Sequence, residues 1–280
     1  MKPRFDGLHI VTATVEPLRA EECFRSWLGL SRYHLPVHTV WSTLGADLSA
    51  KLTGPSPERE MLGDVFGPGM TCHVFDGGGV VPAFAYGVEA AFKEGAEMVL
   101  CLHDDVLLEQ GEWDAAVLRW QGELHADFGG FGGGTSLGAA NIYQVPYDPM
   151  QLARGGFASN MRDAEAHGVR ATMPQQMAVF DGFSQFGRGQ WFRDAWRGLA
   201  KSGLQHHAYD AAVACLAARA HVPGYLFPVK VHHYGGHTAV GSSMYQDWAR
   251  TQNKDGDQGF WVDAHKITYE AFKDVLPVRV

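Results

Sequence analysis

Residues 76–124 constrain the fold more than any other stretch of the chain. Asp76-Gly77-Gly78-Gly79 reads as a turn. Pro82 then opens an amphipathic helix in which Phe84, Val88, Ala91 and Phe92 share one face, and Gly95 closes it. Met98-Val99-Leu100-Cys101-Leu102 is apolar at every position, the pattern of a strand covered on both sides. It runs without a break into His103-Asp104-Asp105, and a second helix from about Glu112 carries Trp113, Val117, Trp120 and Leu124 on one stripe. With a strand over Thr71 to Phe75 in front, the succession is a βαβ unit. It predicts an α/β fold built on a central sheet flanked by helices.

The flanking segments extend this reading. Leu8 to Ala13 is a β-branched strand, Arg19 to Leu28 a helix with Cys23, Phe24 and Trp27 inward, and His38 to Trp41 a strand. Residues 44–70, rich in proline and glycine, read as loop. Phe128 to Ser136 is glycine-rich, and 137–176 has no assignable pattern. Met177 to Phe180 reads as a strand leading into Asp181-Gly182-Phe183. Ala208 to Ala220 is a helix, Tyr225 to Val231 a strand, and the aromatic tail 242–280 packs back as helix and loop.

The 280 residues show no internal repeat and no linker, so the expectation is one domain over 1–280. Its apolar share of 46% and charged share of 19% exclude a disordered chain. A net charge of −8 weighs against a broad nucleic-acid or anionic-membrane surface. No apolar run approaches the ~18 residues that span a bilayer. The opening residues lack the apolar core of a signal peptide, and Cys23, Cys72, Cys101 and Cys215 form no C-x-x-C pair. A cytoplasmic, soluble protein is expected.

Several polar groups stand where chemistry is done. His103-Asp104-Asp105 closes an apolar strand, the end at which open α/β sheets bind ligands. Adjacent carboxylates there suit a hard divalent cation and a diphosphate, or else form an exposed acidic turn. His232-His233-Tyr234-Gly235-Gly236-His237 also follows a strand and offers imidazoles to a metal, or is a histidine-rich loop. Asp210, in the first turn of its helix, is favoured in its ionised form, as a general base or as an ordinary helix-start carboxylate. The runs Gly77–Gly79 and Gly132–Gly134 match no phosphate-loop spacing and read as mobile turns.

The order of these segments resembles the GT-A glycosyltransferases, in particular glycosyltransferase family 2 and its streptomycin-biosynthesis-like branch. LHIVTA is similar to the first nucleotide-binding strand. The stretch from Phe75 through Val106 resembles the glycine-led helix and the strand ending in the D-x-D-type motif, here His103-Asp104-Asp105. FGGFGGGTS, Asp181-Gly182-Phe183, the helix opening at Tyr209-Asp210, and VHHYGGHT resemble the later family segments in sequence order. Two positions depart from the pattern: His103 replaces an Asp, and Tyr209 replaces the Glu of an E-D pair.

The resemblance implies a Rossmann-like GT-A domain with a mixed sheet. Residues 8–125 would form the nucleotide-sugar-binding half, 126–240 the acceptor and catalytic half, and 241–280 a tail. It implies an inverting, nucleotide-sugar-dependent transferase. Thr12, Ala13 and Asp104 would contact the donor, with Asp76 (or Asp47) on the nucleoside base. Asp105 and His233 would hold Mn2+ or Mg2+, Asp181, Gly182 and Phe183 would line the acceptor side, and Asp210 would be the catalytic base. The acceptor is open among small molecules, glycans, proteins and modified nucleic-acid bases, the last not indicated by the net charge. Two other readings use the same residues: a metal-dependent hydrolase, and a non-catalytic nucleotide-sugar-binding module.

Overall fold

The structure is a computed structural model that describes residues 2–42, 56–141, 150–235, 243–251 and 256–280. The first half runs β1 (Leu8–Thr14), α1 (Glu21–Gly29), β2 (Val37–Ser42), α2 (Pro57–Phe66), β3 (Met70–Phe75), α3 (Val80–Lys93), β4 (Met98–Leu102), β5 (Val106–Leu108) and α4 (Trp113–Leu124). The middle follows as β6 (Phe128–Gly130), β7 (Gly132–Gly134), β8 (Ser136–Asn141), β9 (Met150–Gly155), β10 (Ala158–Ser159), α5 (Ala164–His167), β11 (Val169–Arg170), β12 (Gln175–Met177) and β13 (Val179–Phe180). The last part contains β14 (Ser184–Arg188), α6 (Gln190–Leu199), α7 (Tyr209–Arg219), β15 (Gly224–Leu226), β16 (Val231–His233), α8 (Ser243–Thr251), α9 (Gly256–Phe272) and β17 (Val278–Arg279).

The fold is mixed α/β around an eight-stranded sheet of order β12-β15-β6-β14-β4-β1-β2-β3. Strands β4, β1, β2 and β3 are parallel, and β14 enters antiparallel between β4 and β6. The apolar strand β4 shows why the sheet has two covered faces. Val99 and Cys101 join a core with Phe84, Val88, Phe192 and Trp196. Met98, Leu100 and Leu102 join another with Phe24, Trp27, Leu62 and Phe186. Alternate side chains of a strand point to opposite faces, so a strand buried on both has no polar position.

Three expectations require correction. The stretch 44–70 is not all loop: α2 spans Pro57–Phe66, started by Ser56, whose hydroxyl accepts from the Arg59 amide at 3.2 Å, with proline at the first helical position. Proline read there as a breaker is a helix initiator. The predicted strand Tyr225 to Val231 divides into β15 and β16, with Pro228 between them. Gly132–Gly134 is buried strand β7, not a mobile turn, because a Cβ on Gly133 would lie 2.5 Å from the Val179 carbonyl oxygen. Within 137–176 the chain forms β8 to β12 and α5, and α6 is a further helix that the sequence reading did not include. His237 and Asp47 lie outside the described residues.

A candidate site at the strand ends

The register of β4 sets the site. Its end, Leu102, pairs with Ser184, which opens β14, so Asp181-Gly182-Phe183 arrives beside His103. The His103 amide donates to the Phe183 carbonyl at 3.0 Å. The chain turns through Asp104 and Asp105 into β5, which pairs antiparallel with β16 and sets His233 opposite Val106. His233 Nε2 thereby lies 3.2 Å from Asp105 Oδ1, and its ring packs on Phe183 at 4.8 Å. His232 points elsewhere, its ring against Tyr234.

His103, Asp105 and His233 form a cluster in which one donor atom from each lies within 4.8 Å of the others. His103 Nδ1 stands 3.9 Å from Asp105 Oδ1. Its other nitrogen, Nε2, contacts the Tyr209 hydroxyl at 2.5 Å, and that hydroxyl donates to the Gly182 carbonyl at 3.0 Å. Tyr209 begins α7, so Asp210 is the next residue on the same turn. The Asp210 carboxylate accepts from the Ala211 amide at 2.7 Å and from the guanidinium of Arg154. The other terminal nitrogen of Arg154 donates to Asp181 Oδ2 at 2.7 Å. Arg154 comes from β9, held in place where the Leu152 amide donates to His265 Nδ1 of α9 at 3.0 Å.

The electrostatics divide these groups. Burial lowers the pKa of His103 to about 4, so the imidazole is neutral near pH 7. Burial acts downward on His233 too, but the hydrogen bond and charge of Asp105 outweigh it and hold His233 above the ordinary histidine value. Burial, then the adjacent Asp105 charge, push Asp104 up to about 7. Burial would also raise Asp181, yet Arg154 and then His233 bring it below the usual carboxylate range.

The sequence-predicted residues therefore fall into two sets. Asp105, His233, Phe183, Gly182, Asp181 and Asp210 are brought together. Asp104 is half-buried at the same strand end; Thr12 is fully buried on β1 and Ala13 half-buried beside it. Asp76 is exposed beyond β3, the sheet edge, three strand positions or ~14 Å across the sheet from β4. The sequence places His103 in the strand-end motif and Tyr209 before Asp210 without an individual role for either, and it gives no sign of Arg154. The first two carried a signal, since both depart from the pattern that the segment order resembles. Arg154 sits in the unassigned stretch and carried none.

The two imidazoles and one carboxylate are a chemically sound donor set for a divalent transition ion. Among the described residues, no helix is long and apolar enough to cross a membrane.

No family model matches the chain, and no curated protein sequence matches it. Among solved structures, one similar chain is a proposed nucleotide-diphospho-sugar transferase from Desulfovibrio desulfuricans. It is 13% identical with a TM-score of 0.42, over 89% of this chain and 96% of that one. A mannosyltransferase from Pyrobaculum calidifontis, in complex with GDP-Man and Mn2+, is 13% identical with a TM-score of 0.46, over 99% of this chain and 72% of that one.

Proposed function

We propose that this chain transfers a sugar from a nucleotide-sugar donor to an acceptor hydroxyl, with a divalent cation at the strand-end cluster. The observation that carries the reading is adjacency. The His103, Asp105 and His233 cluster touches, through Tyr209, the turn of α7 that presents Asp210. A cation site at the end of β4, joined through Tyr209 to the helix turn that carries an acid–base carboxylate, is what such a transfer needs. The segment order resembling the GT-A family 2 group supports the same reading.

In this reading Asp105 and His233 hold the cation, with His103 facing the same point. The bound ion would neutralise charge developing on the departing nucleoside diphosphate. Asp104, at about 7, is partly protonated near neutral pH and offers a donor or an acceptor to a ribose or sugar hydroxyl. Asp181, Gly182 and Phe183 line the acceptor side. Asp210 takes the proton from the acceptor hydroxyl as its oxygen bonds to the anomeric carbon and the bond to the diphosphate breaks, inverting that centre. Arg154 bridges the two acceptor-side carboxylates and holds Asp181 below the usual carboxylate range. Residues 8–125 serve the donor and 126–240 the acceptor.

Calorimetric titration with nucleoside diphosphates and nucleotide sugars, with and without Mn2+, tests this. Cation-dependent binding followed by transfer to an added hydroxyl acceptor is expected. Binding without transfer would leave a nucleotide-sugar-binding module. Ester or phosphate hydrolysis without any sugar donor would make the chain a hydrolase.

A further inference from the structure

Tyr209 and His103, the two departures from the family pattern, are in contact with one another. The phenol has a single proton. It is 3.0 Å from the Gly182 carbonyl, which can only accept, so the proton goes there. At the 2.5 Å contact with His103 the phenol oxygen must then accept, and His103 Nε2 must carry the hydrogen. A neutral imidazole has one N–H. The Nδ1 atom of His103 therefore bears a lone pair, and it faces Asp105 Oδ1 at 3.9 Å, too far for a hydrogen bond and close enough to share an ion.

Gly182 completes the arrangement. A Cβ there would lie 2.3 Å from the Tyr209 hydroxyl, so the phenol reaches the carbonyl only because position 182 lacks a side chain. The ring of Phe84 lies against His103 at 6.0 Å with a 16° interplanar angle, further limiting its rotation.

We propose that Tyr209 is a positioning residue for the cation site: its hydroxyl fixes the His103 tautomer that aims Nδ1 at the ion, making the donor set two imidazoles and one carboxylate. The inference rests on the cation reading above and not on sugar transfer. It has a consequence for ion choice. Mg2+ prefers oxygen donors and retains its waters, whereas imidazole nitrogen favours first-row transition ions, with affinity rising from Mn2+ through Co2+ to Ni2+. His103 and Tyr209 depend on each other: an Asp at 103 would need no tautomer fixed, and a histidine without the phenol could present an N–H to the ion. A ligand's hydrogen-bond partner of this kind contributes about 10–100-fold to metal affinity.

The test is titration of the metal-free full chain with Mg2+, Mn2+ and Co2+ by calorimetry, with Mn2+ also followed by electron paramagnetic resonance. Wild type, Tyr209→Phe and Gly182→Ala are compared, and nitrogen-15 NMR reads the His103 tautomer in wild type. The expected results are an Nε2–H tautomer, Mn2+ and Co2+ bound at least about 10-fold more tightly than Mg2+, and a 10–100-fold loss of Mn2+ affinity in both variants. Wild type that binds none of the three ions would overturn the cation reading itself. Wild type that binds Mn2+ while folded Tyr209→Phe binds it equally well would overturn this inference alone. So would an Nδ1–H tautomer, which decides the matter even if neither variant folds. Equal affinity for Mg2+ and Mn2+ would remove the second imidazole from the donor set.

Discussion

Arg154 of β9 holds the carboxylate of Asp210 at the start of α7, and the same guanidinium holds Asp181 at 2.7 Å. A cation between two carboxylates relieves their mutual repulsion. If Asp210 is the base, Asp210→Asn keeps the shape and loses the proton acceptor. Transfer should fall by about 10²–10⁴-fold, the usual general-base contribution, with donor affinity in Mn2+ unchanged. Parallel turnover and calorimetric measurements check this. Loss of donor binding together with transfer would make Asp210 a donor or metal residue.

Removing the guanidinium tests the pair itself. Asp181 sits below the ordinary carboxylate value in the folded chain despite burial, because of Arg154 first and His233 second. A depressed carboxylate contributes stability that is present above its unfolded pKa and lost as pH falls through the folded one. Arg154→Met should therefore destabilise the protein at pH 7 and much less near pH 3. Melting temperatures of both proteins across that range supply the comparison, and a penalty constant with pH would count against the ion pair.

The strand-end cluster distinguishes two imidazoles of the VHHYGGH stretch. His233 meets Asp105 at 3.2 Å, whereas His232 packs on Tyr234. Asp105→Ala should abolish Mn2+-dependent binding of a nucleoside diphosphate. His233→Ala should weaken it strongly and His232→Ala little. Near-ultraviolet circular dichroism verifies the fold of each variant. Equal effects from both histidine variants would point to a diffuse histidine-rich surface.

A second histidine group sits away from the site, under the sheet's parallel half. His9, His38 and His73 of β1, β2 and β3 stack in series, with interplanar angles of 14° and 7°. His9 Nε2 donates to the Asp6 carbonyl at 3.1 Å, so its Nδ1 accepts from His38 Nε2 at 2.9 Å, and His38 Nδ1 accepts from His73 Nε2 at 3.1 Å. Adding a proton to His9 or His38 would set N–H against N–H. Burial lowers all three, His38 to about 3, while Glu94 and Asp6 only partly oppose it at His9. Lowered histidines bind fewer protons folded than unfolded, so stability is full above the unfolded value near 6.5 and falls as pH drops toward about 3. One proton corresponds to a slope of up to about 1.4 kcal/mol per pH unit. His38→Gln should be less stable at pH 7 and show a shallower loss between pH 6.5 and 4, read from urea midpoints. An unchanged slope would mean that the ladder does not titrate on unfolding.

The parallel half of the sheet was legible in the sequence because its information is local. An unbroken apolar run is a strand covered on both faces, a 3.6-residue stripe is a helix, and a polar cluster after such a strand marks its ligand-binding end. His103 to Asp105 and Asp210 at its helix start stand out by that local reading, whereas Asp181-Gly182-Phe183 was singled out by resemblance. Helix α2 was misread because proline both stops and starts helices, and the difference lies in the Ser56 cap before it. Strand β7 was misread because glycine serves turns and also strands that must lie close to another backbone. Which groups meet was decided by the tertiary structure. Arg154 reaches Asp210 across 56 residues and His103 reaches Tyr209 across 106. Such contacts depend on the register of β9, on the antiparallel entry of β14 beside β4, and on where α7 docks. A side chain's periodicity says which face of its own element it occupies, but a hydrogen bond between elements depends on their relative placement to within a fraction of an ångström, and that comes from packing the whole core.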